Sequence, residues 1–254
     1  MKITVIGAGP GGYEAAIMAS KLGAQVTVIE KDQPGGTCLN RGCIPTKALL
    51  AAADVMHTID SASKFGIDID GIITKDYKKI IDRKNKVKDQ LVKGIEYLFK
   101  ANNVTMIKGT GSLIDKNTVK VIKEDGAEEI VKSDKIIIAT GSVPICPSIF
   151  KYDGKKVITS DELLELDEAP DSIIIVGGGV IGCEIGQFLR KMGTKVTIVE
   201  MLDQILPNED KDVSKQLLRQ FKKDKIKVIT GNGISSVEVL DDKVKAVLQD
   251  ALPI

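Results

Sequence analysis

Charge of one sign is what this 254-residue sequence most plainly lacks: 36 Lys and Arg are matched by 35 Asp and Glu, leaving a net of +1. That balance gives no electrostatic reason to expect a nucleic acid or an anionic membrane as partner. No apolar run approaches the roughly 18 residues that a membrane span needs. Met1 leads directly into Ile3 to Ile6 and then glycine, with no basic n-region, long apolar stretch or cleavage site. The expectation is a soluble, cytoplasmic protein without a membrane span. Histidine is nearly missing, with His57 alone, and cysteine is limited to Cys38, Cys43, Cys146 and Cys183. A zinc site wants several of these residues close together, so no metal is expected.

What the sequence does contain is one segment written twice. Residues 2–32, KITVIGAGPGGYEAAIMASKLGAQVTVIEKD, correspond to residues 172–202, SIIIVGGGVIGCEIGQFLRKMGTKVTIVEML. Gly7, Gly9, Gly12, Glu14, Gly23 and Glu30 fall 170 positions before Gly177, Gly179, Gly182, Glu184, Gly193 and Glu200. So long a period is a duplicated supersecondary unit and not a solenoid. Each copy has a β-branched apolar run, a glycine turn, helix-compatible residues and a second apolar run ending in Glu, which reads as strand, helix, strand. The first two glycines allow a tight turn and close approach to a pyrophosphate, and the third lets helix pack on strand. The helix N-terminus faces the anion, and the terminal Glu can accept hydrogen bonds from an adenosine ribose. One such glycine pattern is weak evidence; two, each with its acid, predict two Rossmann-like dinucleotide-binding domains.

Between the copies, residues 44–56 read as helix, and Lys75 to Ala101 as one long amphipathic helix. Residues 104–132 alternate as a β-meander would, with turns at Asp115–Asn117 and Glu124–Gly126. Lys135 to Ile138 read as a buried strand. Pro144 and Pro147 mark a boundary, so residues 1–143 and 144–254 are expected to be two domains. Ser236 to Leu248 read as a second meander.

The segment GGTCLNRGCIPTK, residues 35–47, follows Glu30 closely. Residues five apart in a regular helix differ by about 7.5 Å of rise and about 140° of rotation. A disulfide needs Cα atoms about 4.4–6.8 Å apart, so a bridged pair requires a distorted turn, which Gly42 and Pro45 permit. Two unrelated thiols near a turn, or an incidental bridge, would leave the flanking glycines, Pro45 and Lys47 unexplained.

With its flanks GGTCLNRGCIPTKALL, this Cys-x4-Cys segment resembles the active-site stretch of the class I pyridine nucleotide-disulfide oxidoreductases. The wording LNRGCIPTKAL is most similar to the branch that oxidises dihydrolipoyl groups. The resemblance covers the whole chain in family order and implies FAD and NAD as cofactors. It implies that Cys38 is the interchange thiol, that Cys43 is the sulfur beside the flavin, and that Lys47 lies near the flavin with Glu184 as its ion-pair partner. It further implies cofactor contacts at Gly7, Gly9, Gly12, Glu30, Lys31, Gly36, Thr37, Gly42, Thr110, Gly111, Thr140 and Gly141 for FAD. For NAD the corresponding positions are Gly177, Gly179, Gly182, Glu184, Glu200 and Ile234. Implied partners are the dihydrolipoyl groups of 2-oxoacid dehydrogenase or glycine cleavage complexes, and a second copy in a homodimer.

Glu200 ends the second copy with no Arg in the residues that follow, and a carboxylate there repels a 2′-phosphate, so NAD is preferred to NADP. Gly186, where NADP-using relatives often have Ala, points the same way. The family's further segments, including a C-terminal dimerisation domain with a catalytic His and Glu, have no counterpart before Ile254. The expectation is a partial reading frame without lipoamide turnover. Glutathione, coenzyme A disulfide and mercuric ion on the same frame are the alternative substrates, and a non-catalytic FAD- and NAD-binding fragment is the alternative class. Cys146 and His57 receive no role.

Overall fold

The computed structural model describes residues 1–250; Ala251 to Ile254, where the sequence ends, lie outside the described residues. The elements in chain order are β1 (Lys2–Ile6), α1 (Pro10–Lys21), β2 (Gln25–Glu30), α2 (Gly36–Arg41), α3 (Cys43–Ser61), α4 (Tyr77–Ala101) and β3 (Thr105–Lys108). They continue with β4 (Thr110–Asp115), β5 (Thr118–Ile122), β6 (Glu128–Lys132), β7 (Lys135–Ile138), α5 (Ser160–Leu163) and β8 (Ser172–Val176). The last are α6 (Val180–Met192), β9 (Lys195–Val199), α7 (Lys211–Lys223), β10 (Lys227–Ile229), β11 (Ile234–Val239) and β12 (Val244–Leu248). Two compact units divide them, one of Met1–Pro45 with Asn85–Val143, the other of Thr46–Lys84 with the chain from Pro144 on.

In the first unit a parallel sheet has the order β3-β2-β1-β7. Alternation along β1 decides what covers each face. Ile3 and Val5 join Val26 and Val28 of β2 under Ala16 of α1 and Val92, Ile95 and Phe99 of α4. Ile6 and Ile29 point the other way, onto Val119 and Val121 of β5. Strands β4, β5 and β6 form the antiparallel meander, with both turns where the Asx residues place them: Asp115 accepts from Asn117 N at 2.7 Å and Asp125 from Ala127 N at 2.9 Å. Residues 105–108 depart from the expected meander. They form β3 and pair parallel to β2, because Val104 joins the helix-side core and the chain reaches the meander only after Gly109. The expected buried strand at Lys135 to Ile138 is β7, but it is an edge strand with Ile138 63% exposed.

In the second unit β10-β9-β8 form a parallel sheet. Its core joins Phe188 and Leu189 of α6, Ile198 of β9, Phe221 of α7, Leu49 and Ala53 of α3 and Ile81 of α4. Residues 236–248 form a hairpin of β11 and β12 and not a meander, since the described residues provide no third strand beside them. The helices expected at 44–56 and 75–101 run over Cys43–Ser61 and Tyr77–Ala101.

Candidate functional site

The duplicated segment folds into the same local structure twice. Gly7 N donates to Ile29 O at 2.8 Å and Gly177 N to Val199 O at 2.8 Å, which tie each glycine turn to the second strand of its copy. Gly7 and Gly177 have φ of +99° and +107°, a region that favours glycine. A Cβ on Gly12 would lie 1.9 Å from Gly7 O, and one on Gly182 would lie 2.1 Å from Gly177 O. The third glycine therefore lets the helix lie on its strand, as its spacing predicts. Gly9 and Gly179 cap α1 and α6 without a side-chain hydrogen bond; in α1, where Pro10 has no N–H and Gly12 N bonds Gly9 O at 2.8 Å, Gly11 N is the first-turn donor left for an anion. A Cβ on Gly179 would meet nothing within 4 Å.

Each terminal carboxylate has a task that the spacing does not reveal. Glu30 Oε2 accepts from Ala8 N at 2.7 Å and Oε1 from Asp32 N at 2.8 Å. Glu200 repeats this with Gly178 N at 2.7 Å and Leu202 N at 2.8 Å. Both carboxylates are 8% exposed. They hold their glycine loops from below, and the lone pairs left over are what a ribose can use, since a carboxylate has about four acceptor sites.

The cysteine segment begins where Gly35 N donates to Ala8 O at 2.8 Å. Gly36 lies so close to the first loop that a Cβ on it would be 2.5 Å from Gly9 Cα. Thr37, on the first turn of α2, is exposed, and Cys38 follows half-buried. The helical path breaks at Gly42, which separates α2 from α3. There the backbone folds back until a Cβ on Gly42 would be 3.0 Å from Thr37 O and 3.2 Å from Cys38 Cα. The path from α2 into α3 thus departs from a regular helix at Gly42. Cys43, at the start of α3, is exposed.

Within the second unit, Lys47 of α3 donates through Nζ to Glu184 Oε1 of α6. Two residues 137 apart, each of which taken by itself reads as a surface charge, are thus a pair. His57, further along α3, is exposed, with Nδ1 3.4 Å from Lys191 Nζ. Gly111 is wedged in the first unit, where a Cβ would be 3.2 Å from Ile6 Cγ2 and 3.3 Å from Ile29 Cγ2. Lys31, Thr110, Thr140 and Gly141 are exposed. Ile234 is buried in the core of the hairpin with Val237 and Val199, so only its backbone is left for a ligand. Cys183 is buried, donates through Sγ to Gly178 O at 3.3 Å, and has its pKa pushed up to about 11 by burial, reinforced by Glu200 and Glu184. Sequence spacing missed Asn40, whose buried side chain ties this turn together; its position between the two cysteines was the available signal.

Two dinucleotide-type loops with a Cys-x4-Cys turn packed on the first define a class, and the chain belongs to the pyridine nucleotide-disulphide oxidoreductase family, whose model matches residues 1–252. Within it the relatives are dihydrolipoyl dehydrogenases. The chain is 41% identical over 239 residues to one from Bacillus subtilis, covering 94% of this chain and 52% of that protein. It is 43% identical over 246 residues to one from Chlamydia pneumoniae, covering 97% and 52%. Among solved structures, LpdA from Mycobacterium tuberculosis has a TM-score of 0.92 at 28% identity, with all of this chain and 56% of that one covered. The HOCl-induced flavoprotein disulfide reductase RclA from Escherichia coli has a TM-score of 0.84 at 27% identity, with 100% and 54% covered. The chain spans about half the length of these curated relatives.

Proposed function

We propose that this chain is the cofactor-binding part of a dihydrolipoyl dehydrogenase, with residues 1–143 serving FAD and residues 144–254 serving NAD. The observation that carries the reading is the fold-back of Gly42 onto Cys38, which brings the residue next to Cys43 against its partner. In the proposed reaction the two S–H groups of a dihydrolipoyl arm close to a disulfide while the Cys38–Cys43 bond opens, two electrons and two protons passing to the protein. Re-closing that bond returns two electrons to NAD⁺ as hydride and releases a proton. A bound flavin would supply the relay between sulfur and nicotinamide. The residues fit both groups: open caps at Gly9 and Gly179 suit two pyrophosphates, and Glu30 and Glu200 keep acceptor capacity for two riboses.

Cys38 takes the substrate sulfur in a mixed disulfide, and Cys43 holds the thiolate next to the flavin. Glu184 fixes the Lys47 ammonium, which favours an anionic reduced cofactor. NAD is preferred over NADP because Glu200 repels a 2′-phosphate. The lipoyl carriers are those of 2-oxoacid dehydrogenase or glycine cleavage complexes, and the complete enzyme is a homodimer. The test compares FAD-loaded wild type with Cys38→Ser and Cys43→Ser after two-electron reduction. A long-wavelength thiolate-to-flavin band is expected in wild type and Cys38→Ser and is lost in Cys43→Ser; a band that survives in Cys43→Ser overturns the assignment.

A further inference from the structure

The turn that carries Cys38 is tied down by one side chain with no part in the roles above. Asn40 is 9% exposed. Its Nδ2 donates to Gly36 O at 3.1 Å and Pro34 O at 3.2 Å, with a longer contact to Gln33 O at 3.4 Å. Three carbonyls on one side fix the orientation of the amide, because only its nitrogen can donate. Oδ1 is then directed elsewhere and is buried without a hydrogen-bond partner. A buried acceptor without a donor is costly, so the amide is kept in place by what its nitrogen does.

What it does is join two contacts in series. On one side Gly35 N is bonded to Ala8 O, and Gly36 presses on Gly9, which fixes the segment 35–36 to the first glycine loop. On the other side Asn40 lies in α2, two residues after Cys38 and three before Cys43. Its bond to Gly36 O lies within α2, whereas those to Pro34 O and Gln33 O reach the segment before it and so hold the helix bearing Cys38 to the chain that enters from β2, ahead of the fold-back at Gly42.

We propose that Asn40 is a positioning residue for the redox pair: it holds α2 so that Cys38 and Cys43 lie at bridging separation before any bond forms. Pre-paid ordering of this kind favours closure, since less chain freedom is lost when the bond is made. The proposal rests on the reading of Cys38 and Cys43 as a redox pair.

The probe is oxidised dithiothreitol and the full 254-residue chain. The cyclic S–S bond of the reagent opens, a Cys38–Cys43 S–S bond forms, and two electrons with both thiol protons leave on the reagent as dithiothreitol. Equilibrium constants come from alkylation and mass analysis across a series of reagent ratios. Asn40→Ala removes the clamp and leaves a gap, and Asn40→Leu fills the volume with neither donor nor charge. Both are expected to lower the constant for bridge formation at least tenfold, about 30 mV for a two-electron couple. Ile95→Val, a core change in the same unit, serves as the control for general destabilisation and is expected to leave the constant within twofold. A folded Asn40→Leu with a constant within twofold of wild type, or a higher one, overturns the proposal. So does failure of both Asn40 variants to fold, which would make Asn40 a folding residue. A wild-type chain that never forms the bridge refutes the redox reading itself, a result distinct from either.

Discussion

Position 13 is tyrosine in the first copy of the repeat and position 183 is cysteine in the second, and the two meet different surroundings. Cys183 is 4% exposed and burial pushes its pKa up to about 11. An ordinary cysteine titrates near 8.5, so at pH 8 about a quarter of such thiols are ionised, against roughly one in a thousand of Cys183. Because thiolate is the reactive form, alkylation of Cys183 in the folded chain is expected to lag far behind that of exposed Cys43. Its rate should continue to rise with pH well past 9, where an ordinary thiol levels off. Peptide-resolved iodoacetamide labelling from pH 7 to 10.5 checks this; a plateau for Cys183 below pH 9 contradicts it. At the same scale, Glu30 and Glu200 were legible as acids at the right distance from their glycines. Their hydrogen bonds to Ala8 N and Gly178 N were not, because backbone amides carry no residue-specific signal in a sequence.

Helices reveal themselves by period and strands by alternation, which is why α4 and the meander could be read in advance. The break between α2 and α3 is another kind of feature. It depends on Gly42 lying close to Thr37 O and Cys38 Cα, where a Cβ at 3.0 and 3.2 Å would be tighter than most such contacts, and the Cys-x4-Cys spacing with Gly42 and Pro45 pointed to it. β3 escaped prediction because four residues, Thr105 to Lys108, are too few to separate a sheet strand from the start of a meander. Helix α6 offers a test with two glycines on one element. A Cβ at Gly182 would be 2.1 Å from backbone Gly177 O, whereas at Gly186 the nearest atoms are side-chain ends, Ile198 Cδ1 at 3.2 Å and Ile175 Cδ1 at 3.4 Å. Gly182→Ala must force α6 away from β8 and is expected to cost about 1–3 kcal/mol or more. Gly186→Ala gains about 0.5–1 kcal/mol of helix preference and needs only small shifts of flexible groups, so it is expected to stay within ~1 kcal/mol of wild type. Urea unfolding of both variants decides between them; equal losses would contradict the contrast.

For the whole molecule, the two parallel sheets differ in how their first strands are enclosed. β1 has a partner on each side, and its last four residues are buried. β8, its counterpart, pairs with β9 alone among the described residues, and none of its residues is buried. Such an edge presents unpaired backbone groups. In hydrogen exchange, the amides of Ile3 to Ile6 are expected to be uniformly slow, while alternate amides along Ser172 to Val176 exchange on the order of 100-fold faster. Uniform protection along β8 would mean that another segment occupies its edge.

The duplication also limits what either glycine loop can recognise. Their hydrogen bonds agree to the tenth of an ångström, at Gly7 and Gly177 and again at Glu30 and Glu200. The adenosine diphosphate half that FAD and NAD have in common would meet the same turn and the same carboxylate in either copy, apart from the N–H that Pro10 lacks and Val180 has, so these shared bonds do little to tell the two molecules apart. Discrimination has to come from beyond the shared half, where the copies diverge: Gly36 and the cysteine turn crowd the first loop, while nothing lies within 4 Å of a Cβ built at Gly179 in the second.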